Sequence, residues 1–254
     1  IEHLKKVNIN TLYYQKNQKY SKFNSLCKTN KRIFNDILKR VYTDTRNNFL
    51  DIGCGFCNHI LWKDPNIKIE GIDIDISTIQ ENKNIYIKDI VNPDKKIKTN
   101  ISNYYWKNFQ EINKKYEVII MNFSFHYVFN KTYGFKNFIY ELLNPCSKKG
   151  TKLFISLIDI QKEENIDLSN NSYMKIIDSP IDYLDEPIKE VIPKWRKTYY
   201  IFRHNTPIKE PMVDVDKLIV LMENYNWKLN QEFKIHNPHD WTNLTRRIEF
   251  IKMY

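Results

Sequence analysis

Apolar segments alternate with amphipathic segments through the first two thirds of the chain, a pattern typical of a parallel sheet covered by helices on both faces. The apolar segments predict strands at 49–52, 67–72, 85–88, 116–121 and 152–158. Helical spacing predicts helices at 32–41, 58–63, 78–83, 102–112 and 134–143. The pattern therefore predicts an α/β fold with a doubly wound, mostly parallel sheet.

The last third of the chain reads differently. From about residue 161 to 197 the alternation gives way to Asn, Asp, Ser and Pro with scattered aromatic residues, which indicates an inserted segment. After it we predict one strand, one helix and two closing strands that complete the sheet with a late antiparallel strand, at 199–203, 215–225, 228–235 and 247–253. We expect a single domain with an N-terminal helical segment, a core, an insertion and a closing part, at 1–45, 46–160, 161–198 and 199–254.

Charge and hydropathy narrow the class of protein. The 254 residues are 42% hydrophobic, enough for a full core, and no apolar run approaches the roughly 20 residues that span a bilayer, so we expect no membrane partner. Lys and Arg number 40 against 30 acidic residues, a net charge of +10 that favours a polyanionic partner such as nucleic acid. A general bias of the sequence towards Lys, Asn and Ile is the alternative explanation.

The four cysteines are too few and too scattered for a disulfide scaffold, which favours a reducing compartment; they are Cys27, Cys54, Cys57 and Cys146. Cys54 and Cys57 match C-x-x-C, but a zinc site would need two further ligands at suitable spacing. We therefore interpret them as packing residues of a turn and expect no metal.

The candidate chemistry begins at Phe49-Leu-Asp-Ile-Gly-Cys-Gly-Phe56, an apolar run that ends on an acid and two spaced glycines. Glycines after a strand let a ligand approach the backbone, and an acid about 20 residues further on binds ribose hydroxyls in dinucleotide-binding folds. Asp73, which ends the second predicted strand, stands at that spacing. The pattern predicts a cofactor that carries an adenosine group.

A five-strand core closed by a helix and two late strands, with this glycine turn, resembles the class I S-adenosylmethionine-dependent methyltransferases. The resemblance implies S-adenosylmethionine as the cofactor, with its methionine part over Gly53 and Gly55 and its ribose hydroxyls on Asp73. It implies that Asp89 approaches the adenine from the end of the third predicted strand, 85–88. Asp51 stands where the family has an acid just before the glycines.

Three further segments resemble the mRNA cap guanine-N7 methyltransferases. They are Arg32-Ile-Phe-Asn-Asp-Ile-Leu-Lys39, similar to R-x-F-N-N-x-I-K; Asn122-Phe-Ser-Phe-His-Tyr127, similar to Q-F-x-x-H-Y; and Glu210-Pro-Met-Val213, similar to E-Y-L-V. Each motif is short, but their order and their position relative to the glycine turn match the family. This resemblance implies that Lys39 contacts the cofactor carboxylate and that Asn122 lies near the methionine moiety.

On the substrate side, the resemblance implies that Asn35 faces the cap and that Phe123, His126 and Tyr127 wall the guanine pocket. Glu210 would accept hydrogen bonds from the amino and imino groups of guanine, because a carboxylate matches two adjacent N–H donors. Core positions for Phe123 and for a buried His126 are the structural alternatives.

The sequence also departs from this family. Where the glycine turn of the family reads G-C-G-K-G-G-D, the chain has Gly53-Cys-Gly-Phe-Cys-Asn-His59. The tyrosine that the family brings to the cap from a closing strand has no clear counterpart, and Arg247, Tyr254 and Trp241 are the candidates.

The implied reaction is methyl transfer from S-adenosylmethionine to guanine N7 of the mRNA 5′ cap. Guanine N7 carries a lone pair and no proton, so the reaction needs alignment and electrostatics rather than a catalytic base, and we expect no catalytic dyad.

The expected partners are the capped 5′ end of mRNA and other domains of a capping enzyme. The family resembled here includes the terminal domain of the mRNA-capping enzymes of large DNA viruses, and we expect a cytoplasmic setting, which for a viral protein is the host cytoplasm or the virion. A methyltransferase acting on another RNA position or a small molecule, and a non-catalytic methyltransferase fold that binds RNA or stimulates a catalytic subunit, are the alternatives.

Overall fold

The computed structural model describes residues 48–53, 68–72, 100–102, 114–129, 134–161, 174–180, 191, 195–201, 208–233 and 245–254. The chain divides into two compact units, Ile1–Asn108 and Phe109–Tyr254. No helix in these ranges is long and apolar enough to cross a membrane.

Within its described residues, the first unit contains three parallel strands in the order β3-β2-β1; they are β1 (Asn48–Ile52), β2 (Lys68–Ile72) and β3 (Asn100–Ser102). The first two confirm the predicted strands. The predicted strand at 85–88 lies outside the described residues, and the strand that pairs with β2 is β3. Ser102 is therefore in a strand, so the predicted start of a helix at this residue was wrong, and the rest of that predicted helix, 103–112, lies outside the described residues. Asn-Ile-Ser has a single apolar residue, so β3 has no apolar run, and only its pairing with Glu70–Ile72 reveals it.

In the part of the second unit that the structure describes, four strands lie in the order β4-β5-β10-β9; they are β4 (Tyr116–Asn122), β5 (Ser147–Ile158), β9 (Trp227–Phe233) and β10 (Thr245–Lys252). Strands β4 and β5 are parallel, whereas β10 is antiparallel to β5 and to β9. The late antiparallel strand is thus confirmed. Strand β5 begins at Ser147, five residues before the predicted start at residue 152, and its pairing with β4 has a register shift between Tyr116 and Val118.

These strands are accompanied by a 3₁₀ turn at Phe125–Phe129, by helix α1 (Phe135–Asn137), which continues as a π-helix over Phe138–Leu143, and by helix α2 (Val215–Glu223). The turn and α1 share an aromatic cluster. Phe125 meets Phe129 and Phe138 edge to face, with ring centroids 5.7 and 5.6 Å apart, and Phe129 stacks on Phe135 at 5.6 Å. These buried rings fix the turn that follows β4.

A separate antiparallel sheet, in the order β6-β7-β8, begins in the segment predicted as an insertion and extends beyond its predicted end at residue 198; its strands are β6 (Met174–Pro180), β7 (Trp195–Ile201) and β8 (Ile208–Pro211). The predicted strand at 199–203 is therefore four residues late, and it does not join the main sheet. The polar residues of Met174–Pro180 gave no apolar run, and cross-strand pairing with β7 makes this segment a strand.

Candidate functional site

The cofactor side of the predicted site begins where β1 ends. Asp51 is fully buried in β1, in register with Gly71 of β2. Gly53 follows with a φ of 71°, and its N–H donates to the carbonyl oxygen of Ile72 at 2.8 Å. Only glycine adopts this left-handed conformation without steric cost, so the first glycine of the motif has a direct structural reason. Five predicted residues lie outside the described ranges: Asn35, Lys39, Gly55, Asp73 and Asp89.

The acceptor side begins where β4 ends. Phe123 has a φ of 55°, which is rare for a bulky side chain, and its N–H donates to the carbonyl oxygen of Ser156 on β5 at 3.1 Å. This bond holds the chain against β5 while it turns away from the sheet. Backbone strain of this kind concentrates at functional sites. The half-buried Phe123 is not a core residue like Phe125, which is fully buried.

Three polar side chains lie in register across β4, β5 and β10, beside this turn. Asn122 pairs with Ser156, and Ser156 pairs with Arg247. Residues in register on neighbouring strands point to the same face, so these side chains form a row, which we call the polar row. Within the described residues, Oδ1 of Asn122 is buried without a hydrogen-bond partner. Burial lowers the pKa of Arg247 to about 10, so the guanidinium stays charged at neutral pH.

His126 and Tyr127 lie on the 3₁₀ turn after Phe123. Their ring centroids are 4.1 Å apart and the planes are tilted by 44°. His126 is 3% exposed, and burial lowers its pKa from 6.5 to about 3, so the imidazole is neutral near pH 7. Tyr127 is 37% exposed. The turn thus presents a tyrosine ring to solvent with a neutral histidine packed beside it.

Glu210 lies on β8, in register with Tyr199 of β7. Three residues later Val213 forms a parallel bridge with Asp159, immediately after β5. Because an extended residue spans at most about 3.6 Å, the Cα atoms of Glu210 and Val213 are no more than about 11 Å apart. Glu210 therefore lies within about 11 Å of the residue that bridges to the carboxyl end of β5, the end at which Asn122 and Phe123 leave β4.

A cluster of ionic groups at the same end of β5 was missed by the sequence analysis. Asp159 is fully buried and accepts hydrogen bonds from the N–H of Gln161 at 3.1 Å and of Val215 at 3.4 Å, and from Nη1 of Arg246 at 3.2 Å. Arg246 also donates to Asp216 on α2 at 2.6 Å and through Nε and Nη2 to Glu232 on β9. An acid directly after the buried apolar strand was the signal in the sequence.

Electrostatics in this cluster keep Arg246 charged. Burial raises the pKa of Asp159, although its hydrogen bonds to the backbone and to Arg246 oppose that change. Burial alone would lower the pKa of Arg246, but the hydrogen bonds that its guanidinium donates to the carboxylates of Glu232 and Asp216 outweigh burial and raise the pKa well above its ordinary value. A charged guanidinium thus links β5, β9 and α2.

The three candidates for the counterpart of the family's cap-contacting tyrosine lie in different parts of the chain. Arg247 lies at the carboxyl end of β5, opposite Ser156, and so belongs to the polar row. Tyr254 is 79% exposed and follows the other end of β10, beyond the residue paired with Lys152. It therefore lies away from Asn122. Trp241 lies outside the described residues. Within the described ranges, no three His, Cys, Asp or Glu residues are grouped so that they could hold a metal ion.

No protein-family model matches the chain, and no curated protein sequence matches it. Solved structures do. The glycopeptide N-methyltransferase MtfA in complex with S-adenosyl-L-homocysteine matches with a TM-score of 0.61 at 8% identity over 87% of this chain and 89% of its own. An S-adenosylmethionine-dependent methyltransferase from Clostridium acetobutylicum ATCC 824 matches with a TM-score of 0.54 at 13% identity, over 87% and 91% of the two chains.

The methyltransferase domain of bacterial CtHen1 matches with a TM-score of 0.55 at 14% identity, over 87% of this chain and 97% of its own. At such identities the similarity concerns the fold. Parallel strands with a glycine turn after β1, and an antiparallel β10 beside β5, agree with it. The chain has the class I methyltransferase fold.

Proposed function

We propose that this protein transfers a methyl group from S-adenosylmethionine to guanine N7 of the 5′ cap of mRNA. The observation that carries the proposal is the turn after β4, where a strained Phe123 and an exposed Tyr127 follow Asn122 in the predicted order. The methyltransferase fold alone is compatible with many substrates, so the cap assignment depends on this turn and on Glu210.

The cofactor assignment is supported by the neighbours, one of which was crystallised with S-adenosyl-L-homocysteine, and by two features of the chain. The left-handed Gly53 after β1 is suited to a ligand that approaches the backbone. At β4, the buried Oδ1 of Asn122 is suited to accept a hydrogen bond from the amino group of the cofactor's methionine part. Asp51, Gly55, Lys39, Asp73 and Asp89 complete the proposed set.

S-adenosylmethionine, when bound, supplies a sulfonium methyl group that a lone pair on nitrogen can attack. The residues of this chain then have to orient the base without a cation packed against Tyr127, the residue proposed to contact its face. The neutral His126 fits that task, because a protonated imidazole beside guanine would oppose the positive charge that the base acquires. Good alignment of two reactants can lower a barrier by about 7–11 kcal/mol, so no catalytic base is required.

Base recognition is proposed to come from Phe123 and Tyr127 against the guanine faces and from Glu210 at its edge, with Asn35 facing the cap. Adenine has an acceptor where guanine has one of its two donors, so it would leave the carboxylate partly unpaired. A buried group left unpaired costs about 1–3 kcal/mol, which implies at least roughly tenfold preference for guanosine caps.

The excess of 40 basic over 30 acidic residues supports an RNA partner. We further propose a cytoplasmic setting and association with other domains of a capping enzyme.

The test combines two measurements on the unmodified chain and on Glu210→Gln. Calorimetry should show that both bind S-adenosylmethionine with the same affinity, because Glu210 is assigned to the base and not to the cofactor. Methylation of GpppA should exceed that of ApppA at least tenfold in the unmodified chain and should fall strongly in the variant. Equal use of both dinucleotides would indicate another substrate, and absence of cofactor binding would indicate a non-catalytic fold.

A further inference from the structure

The last residue of β8 and the three residues that join it to α2, Pro211–Asp214, are held by several hydrogen bonds near the end of β5, and we call them the linking segment. The N–H of Val213 donates to the carbonyl oxygen of Ile158, and the N–H of Ile160 donates to the carbonyl oxygen of Val213, both at 3.0 Å. The N–H of Asp214 donates to the carbonyl oxygen of Val191, also at 3.0 Å. The backbone has little freedom here.

Side chains of β5, α2 and β10 strengthen this attachment. The buried carboxylate of Asp159 accepts the N–H of Val215, at the start of α2, and also receives Arg246. Nε2 of Gln161 donates to Oδ2 of Asp214 at 3.1 Å, while Oδ1 of Asp214 caps α2 by accepting the N–H of Lys217 at 3.2 Å. The ends of β5 and α2 are thus tied together through Asp159.

We infer that Asp159 and Arg246 are positioning residues that set the place of Glu210 relative to the end of β4. The inference deepens the proposed function and rests on it. Glu210 precedes the fixed Val213 by only three residues, so a shift of the linking segment is transmitted to Glu210 with little loss. Strand β5 also pairs directly with β4, so the same strand anchors both sides of the proposed base pocket.

The alternative is that the cluster only stabilises α2. Glu232 offers a matched control, because it binds the same guanidinium from β9 and, among the described residues, makes no hydrogen bond to the linking segment. Glu232→Gln should therefore remove one carboxylate from Arg246 and leave Val213 and Val215 held. Asp159→Asn keeps the shape of the side chain but weakens its bond to Arg246. A second variant, Arg246→Lys, keeps the charge but cannot reach three carboxylates at once.

Hydrogen exchange tests, independently of activity, whether Asp159 holds the linking segment in place. Amides of the linking segment and the first turn of α2 should exchange faster in Asp159→Asn than in Glu232→Gln, when both are compared at equal distance below their melting temperatures. Equal exchange in the two variants would overturn the inference.

Kinetics test the functional half. A misplacement of about 1 Å can cost about 100-fold in rate, so a smaller shift of Glu210 should reduce the GpppA over ApppA preference about tenfold in Asp159→Asn and Arg246→Lys. S-adenosylmethionine should bind these variants as it binds the unmodified chain. Glu232→Gln should keep the preference.

A double-mutant cycle decides whether the effect acts through Glu210. In the Glu210→Gln background, Asp159→Asn should cause no further loss of base preference, because the group that it positions has already been altered. Additive losses would overturn the inference while leaving the proposed function intact. Absence of any guanine preference in the unmodified chain would contradict the proposed function and the inference together.

Discussion

Burial of His126 predicts how the stability of the protein depends on pH. The pKa of His126 falls from 6.5 to about 3 because the folded protein buries the imidazole. The folded-state pKa lies below the unfolded one, so His126 contributes stability above pH 6.5 that is lost as the pH falls towards 3. Since the folded form stays neutral at pH 5, the loss between pH 7 and pH 5 follows from protonation of the unfolded chain and is about 2 kcal/mol.

Urea unfolding of the unmodified chain and of His126→Gln at pH 7, 6 and 5 measures this loss. The variant lacks the titrating group, so its stability relative to the unmodified chain should improve by about 2 kcal/mol over that range. In the folded unmodified chain, the imidazole carbon chemical shifts of His126 should remain those of the neutral ring down to about pH 5. Parallel pH dependences of the two proteins, or a ring that titrates near its ordinary pKa, would refute the reasoning.

Three further predictions concern the carboxyl end of β4 and the RNA partner. Phe123→Asn should be more stable than Phe123→Ala by about 1 kcal/mol in urea unfolding, because asparagine tolerates the left-handed conformation. Both variants should lose cap methylation. Equal stabilities of the two variants would show that the backbone strain is absent. Asn122→Ala should weaken S-adenosylmethionine binding about tenfold in calorimetry. The free energy of unfolding should not fall, because among the described residues Oδ1 of Asn122 has no hydrogen-bond partner. An unchanged affinity would remove Asn122 from the cofactor set. The affinity for capped RNA should fall with salt, each phosphate contact adding about 0.7 to the log–log slope for a single strand, and a flat response would separate the basic charge from RNA binding.

Strands with an apolar run were predictable from the sequence, because burial on both faces of a parallel sheet requires such runs. Strands β1, β2 and β4 follow the predicted bounds within one residue, and helix α2 begins at the predicted Val215. The capping residue Asp214 precedes that helix, which explains why its start could be read locally. Its end comes two residues earlier than predicted.

Strands without an apolar run were not predictable in the same way. The pairing of β3 with β2, and of β6 with β7, depends on backbone hydrogen bonds between segments far apart in sequence. The same limit applied to the site. The motif Asn122–Tyr127 could be read from adjacent residues, whereas Asp159 and Arg246 are 87 residues apart and become visible as partners only through the fold.

Identification of the methylated atom tests the central claim most directly. Labelled S-adenosylmethionine should transfer its methyl group to GpppA-capped RNA, and digestion should recover the label as 7-methylguanosine. The same RNA carrying 7-deazaguanosine, which has C–H in place of N7, should accept no label, although the shape of the base and the edge read by Glu210 are unchanged. Label recovered on another atom, or equal labelling of the 7-deaza cap, would contradict the assignment of guanine N7 as the acceptor.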